Sequence, residues 1–377
     1  MKPKEASKMN IGLLIYGSLH TISGGYLYDR LLVDFLRKKG HNVEIFSLPW
    51  RSYWAHLGDN ASAALRQQLR QAAIDLLIQD ELNHPSLAWL NQWLKPRVNY
   101  PIVSIVHHLR VSENHSPWLM PIFHAVEKQY LRTLDGLIYN SQTTAQSVAP
   151  MLSPLPSAQP PSLIVYPSAS HIQAPTNEEI EALQQAKQAQ QPLRALFVGN
   201  VIERKGLHTL LAGLARLQPE LWQLDIVGNC QVDVHYVAQV QAQIAKDKLG
   251  QQVRFHGKVS DEQLGQHFAD AHLLAVPSYE GFGIVYLEAM GYGVPVLACT
   301  VGAAHEIVEN GVNGFLVAPE APAEIAGAIN ELTANRARWL AMSQAARQRF
   351  ERHPTWEAGF AELEAWLETM VPTRRIG

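Results

Sequence analysis

At 377 residues the chain is too long for one ordinary hydrophobic core, so two domains are expected. Hydrophobic residues make up 47% and charged residues 17%, the proportions of a folded protein and not of a disordered one. Lysine and arginine total 31 against 34 acidic residues, and a charge this nearly balanced argues against a nucleic-acid partner.

The opening MKPKEASKMN is polar, and the IGLLIY run behind it is too short for a signal segment or a membrane span. Strand-like runs follow: NIGLLIYGS, HNVEIFSL, IDLLIQDE, IVSIVHH, GLIYNS and LIVY. Helical stretches lie between several of them, such as YLYDRLLVDFLRKKG, which Gly40 is expected to close. Alternating strands and helices with Val/Ile/Leu-rich strands predict a parallel sheet covered on both faces. From about 150 to 192 the composition turns to proline, serine and glutamine, which marks the domain boundary zone. Beyond it RALFVGN, QLDIVGN, VRFHGKV, HLLAVPS, PVLAC and GFLVAP restart the pattern. The expected architecture is therefore two doubly wound α/β domains, residues 1–170 and 171–353, facing each other across a cleft. Residues 354–377 are expected to form a closing helix with Trp356, Phe360, Leu363, Leu367 and Met370 on its core-facing stripe.

The two cysteines, Cys230 and Cys299, sit at the ends of apolar runs and read as small buried hydrophobes. They make neither a disulfide framework nor a zinc site, which fits a reducing cytoplasm and a soluble protein.

Four clusters at the carboxyl ends of these strands carry chemistry. Ser23-Gly24-Gly25 opens the first helix, where glycines let the backbone approach a phosphate or a sugar; a plain tight turn explains them equally well. His107-His108 ends the fourth strand, where an imidazole can hydrogen-bond a substrate hydroxyl or move its proton. A metal site there would need more ligands, and His115 is the one close candidate, so no metal is expected. Gly199-Asn200-Val201-Ile202-Glu203-Arg204-Lys205-Gly206 places two cations after RALFV, suited to a diphosphate leaving group, although adjacent basic residues in a loop are usually only solvated. Glu280-Gly281-Phe282-Gly283-Ile284 leads from a strand into a helix carrying Glu288. The glycines keep Glu280 in a loop, and the helix start offers backbone N–H groups to an anion. A first-turn acid that merely complements the helix dipole is the plainer explanation of Glu288.

Taken together these segments resemble the retaining glycosyltransferases of family 4, which have the GT-B fold. The resemblance spans nearly the whole chain and is strongest from Arg194 to Pro319, through GNVIERKG, EGFGIVYLEAMGYGVPVLA and GAAHEIVENGVNGFLVAP. It implies a nucleotide-sugar donor, UDP- or GDP-linked, held mainly by the second domain without metal or cofactor. By this resemblance Arg204 and Lys205 neutralise the diphosphate, Glu288 holds the ribose, and Glu280 lies by the transferred sugar. Gly281, Phe282, Gly283 and Ile284 offer backbone contacts, Val259 within Gly257-Lys258-Val259 approaches the base, Gly24 and Gly25 close on the diphosphate, and His107 is the active-site histidine. The acceptor, a glycan, a lipid or a small molecule, is not specified, nor is the oligomeric state. A nucleotide-sugar epimerase of the same fold and a non-catalytic nucleotide-sugar binder are the competing functions; a glycosidase is disfavoured because hydrolysis has no use for the Arg-Lys pair. Trp50, Tyr53 and Trp54 beside Arg51, with Arg66 and Arg70 following, suit either peripheral membrane contact or an aromatic acceptor loop. Trp118, Met120, Ile122 and Phe123 could equally line an acceptor pocket.

Overall fold

The computed structural model describes residues 8–21, 23–113, 115–153 and 159–371. Within them the chain divides into two compact units. Residues up to Pro167 join the segment from Trp356 in the first, and Ser168–Thr355 make the second. Residues 1–7 of the polar N-terminus, 154–158 of the Pro/Ser stretch and 372–377 of the expected closing helix lie outside the described residues.

The first unit holds β1 (Asn10–Tyr16), β2 (Asn42–Leu48), β3 (Leu76–Asp80), β4 (Ile102–Val106), β5 (Gly136–Tyr139) and β6 (Ser162–Ile164) in the order β2-β1-β3-β4-β5-β6. All its pairings are parallel. β3, β4 and β5 are buried at every position, as a sheet covered on both faces requires, while the edge strand β2 alternates between exposed and buried residues. The second unit holds β7 (Leu193–Val198), β8 (Trp222–Val227), β9 (Val253–Gly257), β10 (Leu273–Val276), β11 (Val296–Cys299) and β12 (Gly314–Val317) in the order β12-β11-β10-β7-β8-β9. It is parallel throughout as well. Two parallel sheets, each flanked by helices, constitute the GT-B fold.

The strand orders matter for function because each contains one reversal. In the first sheet the chain runs from β1 outward to β2 and then returns to β3 on the other side. In the second it runs from β7 outward through β8 to β9 and returns to β10. Loops leaving the two central strands diverge at such a point and open a crevice, the usual ligand position in an open α/β sheet.

The first long helix, Gly24–Lys38, begins two residues before Tyr26, so both glycines lie in its opening turn and Ser23 caps it. Gly40 follows at φ +91°, and the amides of Gly40 and His41 bond back to the carbonyls of Arg37 and Leu36, a Schellman ending. The helix Trp356–Met370 packs in this same unit: Phe360, 1% exposed, meets the rings of Tyr28, Phe35 and Trp356. Leu363 and Leu367 are fully buried on its stripe, and Met370 is half-buried. Burying each such aliphatic side chain contributes about 1.5–3 kcal/mol. Cys299 is buried and Cys230 only partly so; both are free thiols.

Candidate functional site

At the reversal of the second sheet, β7 leads into the turn Glu203–Lys205 and β10 into the loop Ser278–Gly283. The two segments are 75 residues apart in sequence and are fastened together twice. Arg204 Nη1 donates to the carbonyl oxygen of Tyr279 at 2.9 Å, and Lys205 Nζ pairs with Glu280 Oε1. Ser278 Oγ donates to the same carboxylate at 2.5 Å. The backbone of Glu280 is anchored as well, since its carbonyl accepts from the amide of Ala303 at 2.9 Å beside a bridge to Gly302. Burial pushes the Glu280 carboxyl up, but Lys205 and Arg204 outweigh it and leave it below the usual carboxylate value. Glu280 is therefore an ionised group with a locked position.

Gly283 stands at φ +95° as the N-terminal cap of the helix Ile284–Gly291. A Cβ there would fall 2.4 Å from the Tyr286 ring, so only glycine turns this corner unstrained. Phe282 is buried at 4% exposure, which leaves the backbone of this loop and not the Phe282 ring as its contact surface. Glu288 lies one turn into the helix, and its Oε1 is 3.1 Å from His171 Nε2. Val259 follows β9 and borders a cavity of about 340 Å³ lined also by His256, Lys258, Gln263 and His267.

At the reversal of the first sheet a second group gathers. Gly25 and His107 touch: a Cβ on Gly25 would come 3.1 Å from His107 Cδ2. The His107 ring, 15% exposed, has its Nε2 3.5 Å from Oδ1 of Asp29, which is wholly buried. Asp80 ends β3, and a nitrogen of His107 and one oxygen each of Asp29 and Asp80 lie within 4.8 Å of one another. Burial, and next the charge of Asp29, push Asp80 up to about 7. Burial pulls His107 down, but the Asp29 carboxylate beside it, with Asp80 and Glu81 behind, raises it above its ordinary value. His108 turns elsewhere, to Glu113 at 3.1 Å. Asn140 Nδ2 holds the His107 carbonyl at 2.7 Å.

Directly behind lies a third buried cluster. One atom each of Glu81, His84 and Glu127 fall within 4.8 Å of one another. Glu127 accepts from the amides of Arg110 and Val111, and His84 lies 3.0 Å from Glu81 Oε1. Burial pushes both glutamates up to about 8 and pulls His84 down to about 4. Arg110 stacks over the rings of Tyr53 and Phe123.

Ser278, His171, Asp29 and Asp80 were not singled out from the sequence. Asp80 carried a signal, as the acid at the carboxyl end of a mostly apolar strand; so did Asp29, an acid among the buried positions of an amphipathic helix. His171 sits in an irregular segment and carried none. Of the aromatic and apolar residues singled out, Trp50, Trp54, Trp118 and Ile122 are exposed by 52%, 50%, 69% and 42%, whereas Phe123 is buried. Arg51 is tied to Asp59, Arg66 to the Asn60 carbonyl, and Arg70 is exposed. Among the described residues no helix is long and apolar enough to cross a membrane.

Residues 179–349, within the second unit, match the family described as glycosyl transferases group 1. The D-inositol 3-phosphate glycosyltransferase of Xylanimonas cellulosilytica is 35% identical over 46% of this chain and 42% of its own length. The glycogen synthase of Mycobacterium tuberculosis is 28% identical over 73% of this chain and 63% of its own. The chain thus spans 42% and 63% of the lengths of these two curated relatives, less than two thirds of each. Among solved structures, sucrose-phosphate synthase from Thermosynechococcus elongatus superimposes with a TM-score of 0.79 at 21% identity, covering 96% of this chain and 99% of that one. The Anabaena HepE protein, in complex with UDP and glucose, does so at 0.74 and 22%, covering 96% and 100%. Both likenesses establish the two-domain fold.

Proposed function

We propose that this protein is a retaining, metal-independent glycosyltransferase that moves a sugar from a UDP- or GDP-linked donor to a hydroxyl acceptor. The observation that carries this is the grouping of Arg204, Lys205 and Glu280 at the strand-order reversal of the second sheet, held by the bonds to Tyr279 and Glu280. The family match over 179–349 and the UDP and glucose held by the HepE protein support the same donor chemistry.

In this mechanism the Arg204 and Lys205 cations stabilise the charge that develops on the departing diphosphate, a role metal ions fill elsewhere. Lys205 exchanges part of its pairing with Glu280 for the phosphate oxygens, and Glu280 turns its acceptor oxygens to the sugar hydroxyls. Amides at the start of the helix Ile284–Gly291 complete the anion site, and Glu288 accepts from the ribose. Val259 meets the base, and Gly24 and Gly25 approach the diphosphate. His107 donates to the transferred sugar. The departing phosphate takes the acceptor proton on the same face, which retains the anomeric configuration.

The acceptor is a glycan, a lipid or a small hydroxyl compound, and peripheral membrane contact through exposed Trp54 and Trp118 belongs to the proposal. The two free thiols support a reducing, cytoplasmic setting.

Thermal-shift screening with UDP-, GDP- and ADP-glucose tests donor binding, because a ligand of the folded state raises its melting temperature. Arg204→Ala is expected to lower donor turnover about 10²–10³-fold, and unchanged turnover and affinity would remove its assigned role. Product anomeric configuration by NMR tests retention, and undiminished activity in EDTA tests metal independence. Donor conversion without any acceptor would favour the epimerase; donor binding without turnover would favour the sensor.

A further inference from the structure

We propose that Asp29 and Asp80 form a buried two-carboxylate seat that orients the His107 imidazole and holds a proton on its Nε2, leaving Nδ1 to face the ligand. Both are positioning residues, since they act through His107. Their functional meaning rests on the glycosyltransferase proposal, but the seat itself is a property of the first unit alone.

Asp29 is fully buried, and neither of its oxygens receives a hydrogen bond of ordinary geometry. A buried carboxylate without donors or a counter-charge costs several kcal/mol, so something must compensate it. The compensating cation within reach is His107, 3.5 Å away, and Asp80 lies beside them with its carboxyl pushed up by burial and by the charge of Asp29. The ring is confined from other directions too. Gly25 lies under its Cδ2 edge, and the Tyr28 ring stands edge-on at 5.4 Å and 77°. Nδ1 of His107 has no partner among the described residues. Nε2 is buried without an ordinary hydrogen bond and faces Asp29 at 3.5 Å, so Nδ1 is the nitrogen available to a bound molecule.

The charged and titratable groups facing this ring come from two elements: Tyr28 and Asp29 from the helix Gly24–Lys38, and Asp80 with Glu81 from the end of β3. Asp29 favours the imidazolium, and Asp80 and Glu81 do so once they ionise. An imidazolium donates from Nδ1 and cannot accept the acceptor's proton. The seat therefore assigns His107 a hydrogen-bond donor's role toward a sugar or phosphate oxygen, not that of a general base.

Histidine-selective ¹⁵N NMR of the intact chain tests the seat without any ligand, with His107→Gln identifying the resonance. Expected are an Nε2-protonated His107 with a titration midpoint above 6.5, falling by at least about one pH unit in Asp29→Asn and by less in Asp80→Asn. An Nδ1-protonated ring, or a midpoint at or below 6.5, overturns the proposal, as does an Asp29→Asn midpoint equal to wild type. Should either variant fail to fold, the wild-type tautomer and midpoint still decide. Turnover of a donor found by thermal shift reads the consequence: Asp29→Asn is expected to lower kcat more than tenfold with KM within about threefold, and to move the alkaline limb of the pH profile to lower pH. Failure of all donors to bind removes the transferase proposal and leaves the NMR result standing.

Discussion

Lys205 and Glu280 form an ion pair across the strand-order reversal of the second sheet, with their side chains exposed by only 15% and 13%. The pair joins the turn after β7 to the loop after β10 before any ligand arrives. Lys205→Met is expected to destabilise the protein by about 1–3 kcal/mol, because the Glu280 carboxylate is left poorly compensated. Glu280→Gln in the same chain should recover part of that loss, giving a coupling of about 0.5–3 kcal/mol in a urea double-mutant cycle. Since Glu280 is held below its ordinary value, its contribution is present above about pH 4.5 and is lost as pH falls through the lowered value. A coupling equal at pH 7 and pH 3 would contradict this.

Gly25→Ala separates stability from activity. A methyl at this position comes 3.1 Å from His107 Cδ2, so the ring must shift by a few tenths of an ångström. Gly25 lies in the opening turn of a helix, where alanine is favoured by up to about 1 kcal/mol. The expected variant melts at or above the wild-type temperature and turns over donor at least about tenfold more slowly. Wild-type turnover would show that the contact is functionally idle.

Glu81 and Glu127 make the first unit less stable in alkali. Burial raises both to about 8, so the folded state retains protons that the unfolded chain has released. Stability should therefore fall as pH rises from about 4.5 through 8. Glu81→Gln should flatten that slope in urea titrations at pH 5, 7 and 8.5. A wild-type slope of the opposite sign over this window would contradict the assignment.

Trp54 and Trp118 expose half or more of their side-chain-bearing surface, and Arg70 is exposed on the same unit. If they meet a lipid interface, the protein should float with anionic vesicles in a density gradient, and Trp54→Ser/Trp118→Ser should reduce the floated fraction several-fold. Wild-type protein that stays in solution removes the membrane element of the proposed function.

What could be read from the amino-acid order is what depends on neighbours along the chain. The strand candidates from NIGLLIYGS to GFLVAP each overlap an observed strand, because buried parallel strands are short runs of apolar residues bounded by turns. Gly40 as a helix ending and Glu280 as a loop residue followed in the same way from local backbone preference. The Arg204-Lys205 pair and the Glu280–Glu288 segment were visible as composition at strand ends, but not as partners. Their meeting depends on the order β12-β11-β10-β7-β8-β9, which sets β7 beside β10 although β8 and β9 intervene in the chain. The Asp29–Asp80–His107 group arises in the same way, from three elements converging where β1 and β3 part. Only the fold decided these groupings, because electrostatic and hydrogen-bond energies depend on distances in space, to which separation along the chain is no guide.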